Sequence, residues 1–356
     1  MKKVFWKNKK VLITGHTGFK GSWLVLILHS LGAKVYGYAL NPVSKPNFFD
    51  DINLKKYLEK DYRANILNQK KLKLVFKKIK PSILIHLAAQ SEVLESYKSP
   101  KKTIETNVLG TINILELIKK SKFLRSALIV TTDKVYLNLE KKLSFKEDSS
   151  LGGADIYSSS KAAIEILTSS YMKSFFKNHK CKIATVRSGN CIGGGDWSSN
   201  RIIKDCVTSF VKNKNLIIRN PDSTRPWQHV IEPLVGYLKL SERLFFDTKE
   251  KYVGSWNFGP KTKSNLKVKE IAFFGKKIFK SKSKVIFKKN AFYESKNLSL
   301  NSMKAFKYLN WKTLLSAKVS LKMTFDWYKK FYDKKSNNEI LKFTFNQIKH
   351  YLKNLK

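Results

Sequence analysis

Tyr157 and Lys161 stand four residues apart in the run Tyr-Ser-Ser-Ser-Lys-Ala-Ala-Ile. On a helix that spacing puts both side chains on one face. An ammonium beneath a phenol lowers the phenol's pKa toward working pH. Such a phenol can take a hydroxyl proton while hydride leaves the same carbon for a nicotinamide. Further upstream, Thr131-Thr132-Asp133-Lys134 sets a hydroxyl, a carboxyl and an amine side by side. A third constellation is Gly15, Gly18 and Gly21, spaced Gly-x-x-Gly-x-x-Gly rather than the commoner G-x-G-x-x-G. At a strand–helix junction such glycines permit a tight turn and let a pyrophosphate approach the backbone at the helix N-terminus. No Asp or Glu ends the second predicted strand, where Tyr38-Ala-Leu-Asn41 stands, and Lys45 nearby would suit a 2′-phosphate. Residue chemistry alone therefore leaves NAD and NADP open.

These residues need a scaffold, and the pattern supplies one. Strand-like runs at Lys10–Thr14, Lys34–Tyr38, Ser82–Leu87, Ala127–Thr131 and Lys182–Arg187 alternate with helical patterns at Gly21–Leu31, Gln69–Ile79, Thr103–Lys119 and Tyr157–Phe176. That order predicts an α/β fold, a Rossmann-type doubly wound parallel sheet with helices on both faces. Fully apolar runs such as Ile83-Leu84-Ile85 suit strands buried on both sides. Past residue 188 glycines and prolines break the pattern. We expect a dinucleotide-binding domain over 1–188, with 226–258 returning to it, and a smaller mixed α/β substrate domain over 189–356.

Composition bounds the rest. The 356 residues carry 70 Lys and Arg against 26 Asp and Glu, a formal charge of +44. Hydrophobic content of 42% excludes a disordered polycation. Only seven of the cations are arginines, and the lysines are scattered through every segment. A nucleic-acid surface concentrates its cations and favours arginine, so compositional drift is the better account of the charge. Cys181, Cys191 and Cys206 form no spaced metal or disulfide pattern. No apolar run reaches membrane-spanning length. The expectation is a cytoplasmic protein, bound neither to nucleic acid nor to membrane, with no metal. His86 and His229 read as packing histidines, since no second ligand is suitably spaced.

The stretches TGHTGFKGSW (14–23), HLAAQ (86–90), TNVLGT (106–111), TTDKVY (131–136), YSSSKA (157–162), RSGNCIGGGDW (187–197), IIRNP (217–221), RPWQHV (225–230) and WNFGP (256–260) occur in this order. With them the chain resembles the extended short-chain dehydrogenase/reductases, and within these the CDP-glucose 4,6-dehydratase branch, from Phe5 to about Tyr328. The resemblance implies a lyase with a resident NAD. It would turn CDP-glucose into CDP-4-keto-6-deoxyglucose plus water for deoxysugar and surface-polysaccharide synthesis. Tyr157 would be the base at C4, Lys161 would bind the nicotinamide ribose, Thr132 would hold the C4 hydroxyl, and Asp133 would protonate the leaving C6 hydroxyl. Lys134 stands where related dehydratases carry a glutamate. It would serve either as the C5 base or as a stabiliser of the enolate. The resemblance also implies cofactor contacts from Gly15, Gly18, Phe19, Gly21, Asn65, Ile66, Leu87, Ala88, Ala89, Thr106, Tyr157 and Lys161, and a homodimer or homotetramer. A 4-epimerase, a dehydratase of another nucleotide sugar, or a polyanion-binding protein that kept the fold are the competing readings.

In a lysine-rich chain each arginine marks a position where a planar fork is needed. Arg225 is expected at the substrate pyrophosphate, with Asn190 and Asn257 donating from nearby loops. Arg201 and Arg219 are expected toward the nucleotide, and Gln90 at the substrate. Arg187 reads equally well as a buried ion-pair anchor. Some positions depart from the family pattern. Asn65, Asn68 and Asn301 stand where acids are expected, Leu94 replaces an arginine, and Ile156 replaces a proline before Tyr157. These changes bear on substrate preference more than on reaction type.

Overall fold

The computed structural model describes residues 3–139, 144–260, 265–288, 298–334 and 336–355. Its centre is a seven-stranded, all-parallel sheet. The strands β1 (Lys10–Thr14), β2 (Lys34–Ala39), β3 (Lys60–Arg63), β4 (Ile83–His86) and β5 (Ser126–Val130) are joined by strands Lys182–Ser188 and Gly254–Phe258. From one edge the order is Gly254–Phe258, Lys182–Ser188, β5, β4, β1, β2, β3. The chain thus runs outward from β1 through β2 to β3, then crosses back to β4. Between β1 and β4 the connections diverge, which opens a crevice beyond their carboxyl ends.

The predicted strands lie within one or two residues of the observed ones, because each is an apolar run that the sheet buries on both faces. Two members escaped that pattern. β3 reads Lys-Asp-Tyr-Arg, an edge strand of mostly polar residues that leaves no apolar signal. Gly254–Phe258 closes the other edge in register with Lys182–Ser188, Trp256 facing Val186. The helix predicted over 103–119 is observed as Pro100–Ile104, a π-helical turn Glu105–Leu109, and Gly110–Lys119.

The chain after residue 189 forms small two-stranded sheets and the helices Ile202–Val211, Val268–Phe279 and Ala317–Asp333 beside the crevice. It also returns to the first body. Helix Ile231–Phe245 packs on β5 and Lys182–Ser188, and helix Asn337–Lys353 packs on helix Phe19–Ser30. Tyr351 on that last helix donates to Glu232 Oε2 at 2.7 Å, inside the core. One hydrophobic cluster therefore joins both parts of the chain. Among the described residues no helix is long and apolar enough to cross a membrane.

Candidate active site

The glycine turn follows from what surrounds it. Gly15 sits at φ +77°, and a Cβ there would lie 2.7 Å from the Ala88 backbone nitrogen. A Cβ at Gly21 would lie 2.2 Å from the Gly15 carbonyl oxygen. Any side chain at either position would fill the cradle between β1, the loop after β4 and helix Phe19–Ser30. Thr14 fastens the two strands across the crevice: its hydroxyl pairs with His86 Nδ1 at 2.6 Å and accepts from Ala88 N at 3.3 Å. The bare backbone at a helix N-terminus fits the pyrophosphate of a dinucleotide. His16, inside the same turn, points away from it. Its ring is buried against Gly37, where a Cβ would lie 2.5 Å from it, and Nε2 meets Asp61 at 2.9 Å. Leu87 and Ala89 flank Ala88 at the loop's mouth. Asn65 and Ile66 follow β3 in the chain, with Ile66 buried, and Thr106 lies in the π-turn.

Five chemical groups meet at the ends of β5 and the helix Ile156–Phe175. Asp155 caps that helix by accepting from Ser158 N, which places Tyr157 in its first turn and Lys161 one turn on. Tyr157, Lys161, Thr132 and Asp133 are all buried, and Lys134 is half-buried. Thr132 donates to Asp133 Oδ1 at 3.0 Å. Asp133 Oδ2 has no protein partner among the described residues. Burial raises the Asp133 carboxyl above its ordinary value, against the pull of Lys134, Thr132, Lys20 and Arg225.

The Tyr–Lys pair departs from its expectation in one respect. The Lys161 ammonium donates a hydrogen bond to the Val130 carbonyl at 3.1 Å, and burial pushes its pKa down to about 8. Burial also raises the Tyr157 phenol; the groups that counter this are Thr132, Lys20 and Arg201. Spacing assigned the lowering to Lys161. Desolvation overrides it, because both members are buried and one is turned to a backbone oxygen.

Below these groups lies a buried frame. Arg187 binds Glu165 with two nitrogens, at 2.9 and 2.8 Å, and Thr131 and Thr185 donate to the same carboxylate. Arg187 is therefore the ion-pair anchor rather than a cleft residue. The Asn107 amide clasps both backbone groups of Gln90 and donates to Ser160 on the Tyr157 helix. Gln90 spends its own amide protons on Glu92 O and Thr103 Oγ1, so it braces the loop after β4. Asn257 corrects an expectation. It is buried, accepts from Tyr136 and donates both amide protons to Phe145 O and Asn301 O, which leaves no donor for a substrate.

The remaining candidates divide. Arg225 and Arg201 act electrostatically on Asp133 and Tyr157 respectively, which places their charge at the cleft. Arg201 also lies 3.8 Å from Asp196. Arg219 is bonded to Asn200 and influences Asp205. Neither contact brings it to the Tyr157 cluster. Asn190, half-buried, takes part through its carbonyl, which accepts from Gln228 N. His86 is bonded at both ring nitrogens, to Thr14 and Thr111. His229 accepts from Ile231 N and is packed edge-on to Trp23.

A model of the GDP-mannose 4,6 dehydratase family matches residues 12–324. The chain belongs to that family. A CDP-glucose 4,6-dehydratase of Salmonella typhimurium is 38% identical over 336 residues, 92% of this chain and 92% of that protein. A dTDP-D-glucose 4,6-dehydratase of Dictyostelium discoideum is 34% identical over 59% of this chain and 50% of its own. Among solved structures, a UDP-glucose 4-epimerase of Thermotoga maritima with UDP-glucose superposes with a TM-score of 0.80 at 20% identity, covering 91% of this chain and 99% of its own. A dTDP-glucose 4,6-dehydratase of Bacillus anthracis in complex with NAD gives 0.77 at 21%, covering 91% and 98%. At those identities the likeness is one of fold.

The asparagines that stand where acids were expected have a local account. Asn65, Asn68 and Asn301 each accept a backbone N–H two or three residues on, from Leu67, Lys71 and Met303. Asn and Asp serve equally as such acceptors. Nothing in the structure explains why Leu94 stands where an arginine was expected. Sequence reasoning missed three residues that shape the site: Lys20, His16 and Glu165. The run Gly-Phe-Lys-Gly, with a cation inside an otherwise uncharged turn, was the available signal for Lys20.

Proposed function

We propose that the chain is an NAD-dependent sugar-nucleotide 4,6-dehydratase and that its substrate is CDP-glucose. The observation that carries this reading is a buried carboxyl, Asp133, held beside Tyr157 by Thr132. Epimerisation at C4 delivers no proton to C6 and has no use for that acid. The extent of identity to the Salmonella dehydratase supports the nucleotide and sugar.

NAD, when bound, would accept hydride from C4 and return it to C6, so the reaction has no net redox change. Gly15, Gly18, Phe19 and Gly21 would hold its pyrophosphate, with Asn65, Ile66, Leu87, Ala88, Ala89 and Thr106 along its length. The chain's own residues do the rest. Tyr157 takes the C4 hydroxyl proton and Thr132 orients that hydroxyl. Lys161 holds the nicotinamide ribose. Asp133 gives its proton to the departing C6 oxygen. Lys134 acts on the C5 proton or on the enolate left by its removal. Arg225, Arg201 and Asn190 bind the nucleotide diphosphate, and the assembled form is a homodimer or homotetramer.

The test is incubation of purified protein with CDP-, dTDP-, UDP- and GDP-hexoses. A 4-keto-6-deoxy product, visible by its ultraviolet absorbance in alkali, should form best from CDP-glucose. Absence of turnover of every 6-hydroxy sugar, with NAD bound, overturns the dehydratase reading.

A further inference from the structure

Glu165 lies one helical turn beyond Lys161 and two beyond Tyr157, on the same face of helix Ile156–Phe175. Its buried carboxylate accepts from Thr131 just past β5, from Thr185 and Arg187 on strand Lys182–Ser188, and from Ser255 on strand Gly254–Phe258. Arg187 completes the junction, with all five of its N–H groups engaged. Nε and Nη2 donate to Glu165 at 2.9 and 2.8 Å, and Nη2 donates also to Ser255 Oγ at 2.9 Å. Nη1 donates to Tyr136 Oη at 2.6 Å and to the Glu147 carbonyl at 3.1 Å. Thr131 and Tyr136 bracket Thr132-Asp133-Lys134-Val135, which includes the single turn of 3-10 helix Asp133–Val135. One ion pair therefore holds both ends of the stretch that carries the hydroxyl, the carboxyl and the amine. Its acidic member rides on the helix that carries Tyr157 and Lys161.

We infer that Glu165 and Arg187 are positioning residues: their ion pair sets the separation and orientation of the Tyr157–Lys161 half of the site relative to the Thr132–Asp133–Lys134 half. Apolar contact is non-directional, whereas a guanidinium fork on a carboxylate fixes both angle and distance. Oxidation at C4 and proton delivery at C6 take place on one bound sugar, so both halves have to meet it together. A misplacement of about 1 Å costs about 10²-fold in rate. The inference rests on the dehydratase reading for the work assigned to the two halves.

The test leaves the ion pair intact, because removing one member strands the other charge in the core, and cuts single bonds around it. Thr131→Val and Tyr136→Phe release the two ends of the reactive stretch. Thr185→Val is the control: it removes an equally buried bond to the same carboxylate, from the middle of a sheet strand. With CDP-glucose, kcat should fall about 10–100-fold in Thr131→Val and Tyr136→Phe while KM stays within about twofold. Thr131→Ser, which keeps the hydroxyl, should restore it, and Thr185→Val should hold kcat within about threefold. A purely structural role would affect Thr131→Val and Thr185→Val alike. Amide exchange read by mass spectrometry needs no sugar: peptides over 131–137 should exchange about tenfold faster in Thr131→Val and Tyr136→Phe than in Thr185→Val. Unchanged kcat in the first two variants, or an equal fall in Thr185→Val, overturns the inference. Should Tyr136→Phe fail to fold, Thr131→Val with its serine rescue carries the test. If the unaltered protein turns over no nucleotide hexose, the dehydratase reading fails and the exchange comparison decides alone, equal exchange in all three variants overturning the inference.

Discussion

Thr132 gives its one hydroxyl proton to Asp133 Oδ1 at 3.0 Å and also contacts the Tyr157 phenol. A single proton cannot serve both. While Thr132 donates to the carboxylate, its proton is not available to Tyr157, and the phenol must donate to Thr132 instead. Once Asp133 carries its own proton, the Thr132 proton is released to the phenolate. Asp133 and Tyr157 are linked through one hydroxyl.

Asp133→Asn therefore should lower turnover by about 10²-fold or more, the range of a lost general acid, while leaving oxidation at C4. In deuterium oxide, recovered substrate should carry deuterium at C5, read by NMR. Equal loss of exchange and of dehydration would remove Asp133 from the role of acid.

Lys161→Met should stabilise the protein at neutral pH while abolishing activity. The folded pKa of about 8 lies below the free value of 10.5, so the native state pays a full penalty for the buried cation below pH 8. That penalty fades as pH rises from 8 toward 10.5, because there the unfolded chain binds more protons. The expected gain is about 1–3 kcal/mol at pH 7, at roughly 1.4 kcal/mol per pKa unit with the lost Val130 bond set against it. Thermal melts of both proteins across pH 6–10, converging at the alkaline end, check it.

Glu232 predicts the opposite pH trend. Burial raises its carboxyl from 4.5 to about 7, against bonds from Tyr351, Leu315 and Leu314. A raised folded pKa gives stability that is complete below 4.5 and lost as pH climbs through 7. Denaturant midpoints should fall over that window, and Glu232→Gln should flatten the fall. An unchanged slope in the variant would place the effect elsewhere.

Asn257→Ala separates a structural bond from a substrate bond. With Tyr136, Phe145 and Asn301 as partners, its loss should cost about 1–3 kcal/mol for the buried groups left unpaired. The melting temperature should drop while KM for the sugar nucleotide stays within twofold. A KM raised tenfold in a folded variant would return Asn257 to the substrate.

The legible part of this protein was the part built from local rules. Apolar runs buried on both faces located five strands, because a central parallel strand has no polar face to confuse the pattern. Gly15 and Gly21 announced the turn, since there any Cβ would strike backbone. Tyr157 and Lys161 were readable because helical spacing is a property of the chain itself. Edge strand β3 was not, having little apolar surface to bury.

What the sequence alone determined was the order of elements and the inventory of reactive groups. What only the tertiary structure decided was which group faces which. Lys161 turns to Val130 O, Asn257 is spent on Tyr136, Phe145 and Asn301, and Arg187 is locked on Glu165. Lys20, 168 residues distant in sequence from Ser188, comes within 2.8 Å of it. Charge effects of this kind depend on distance and on exclusion of water, and both are set by packing between segments remote along the chain.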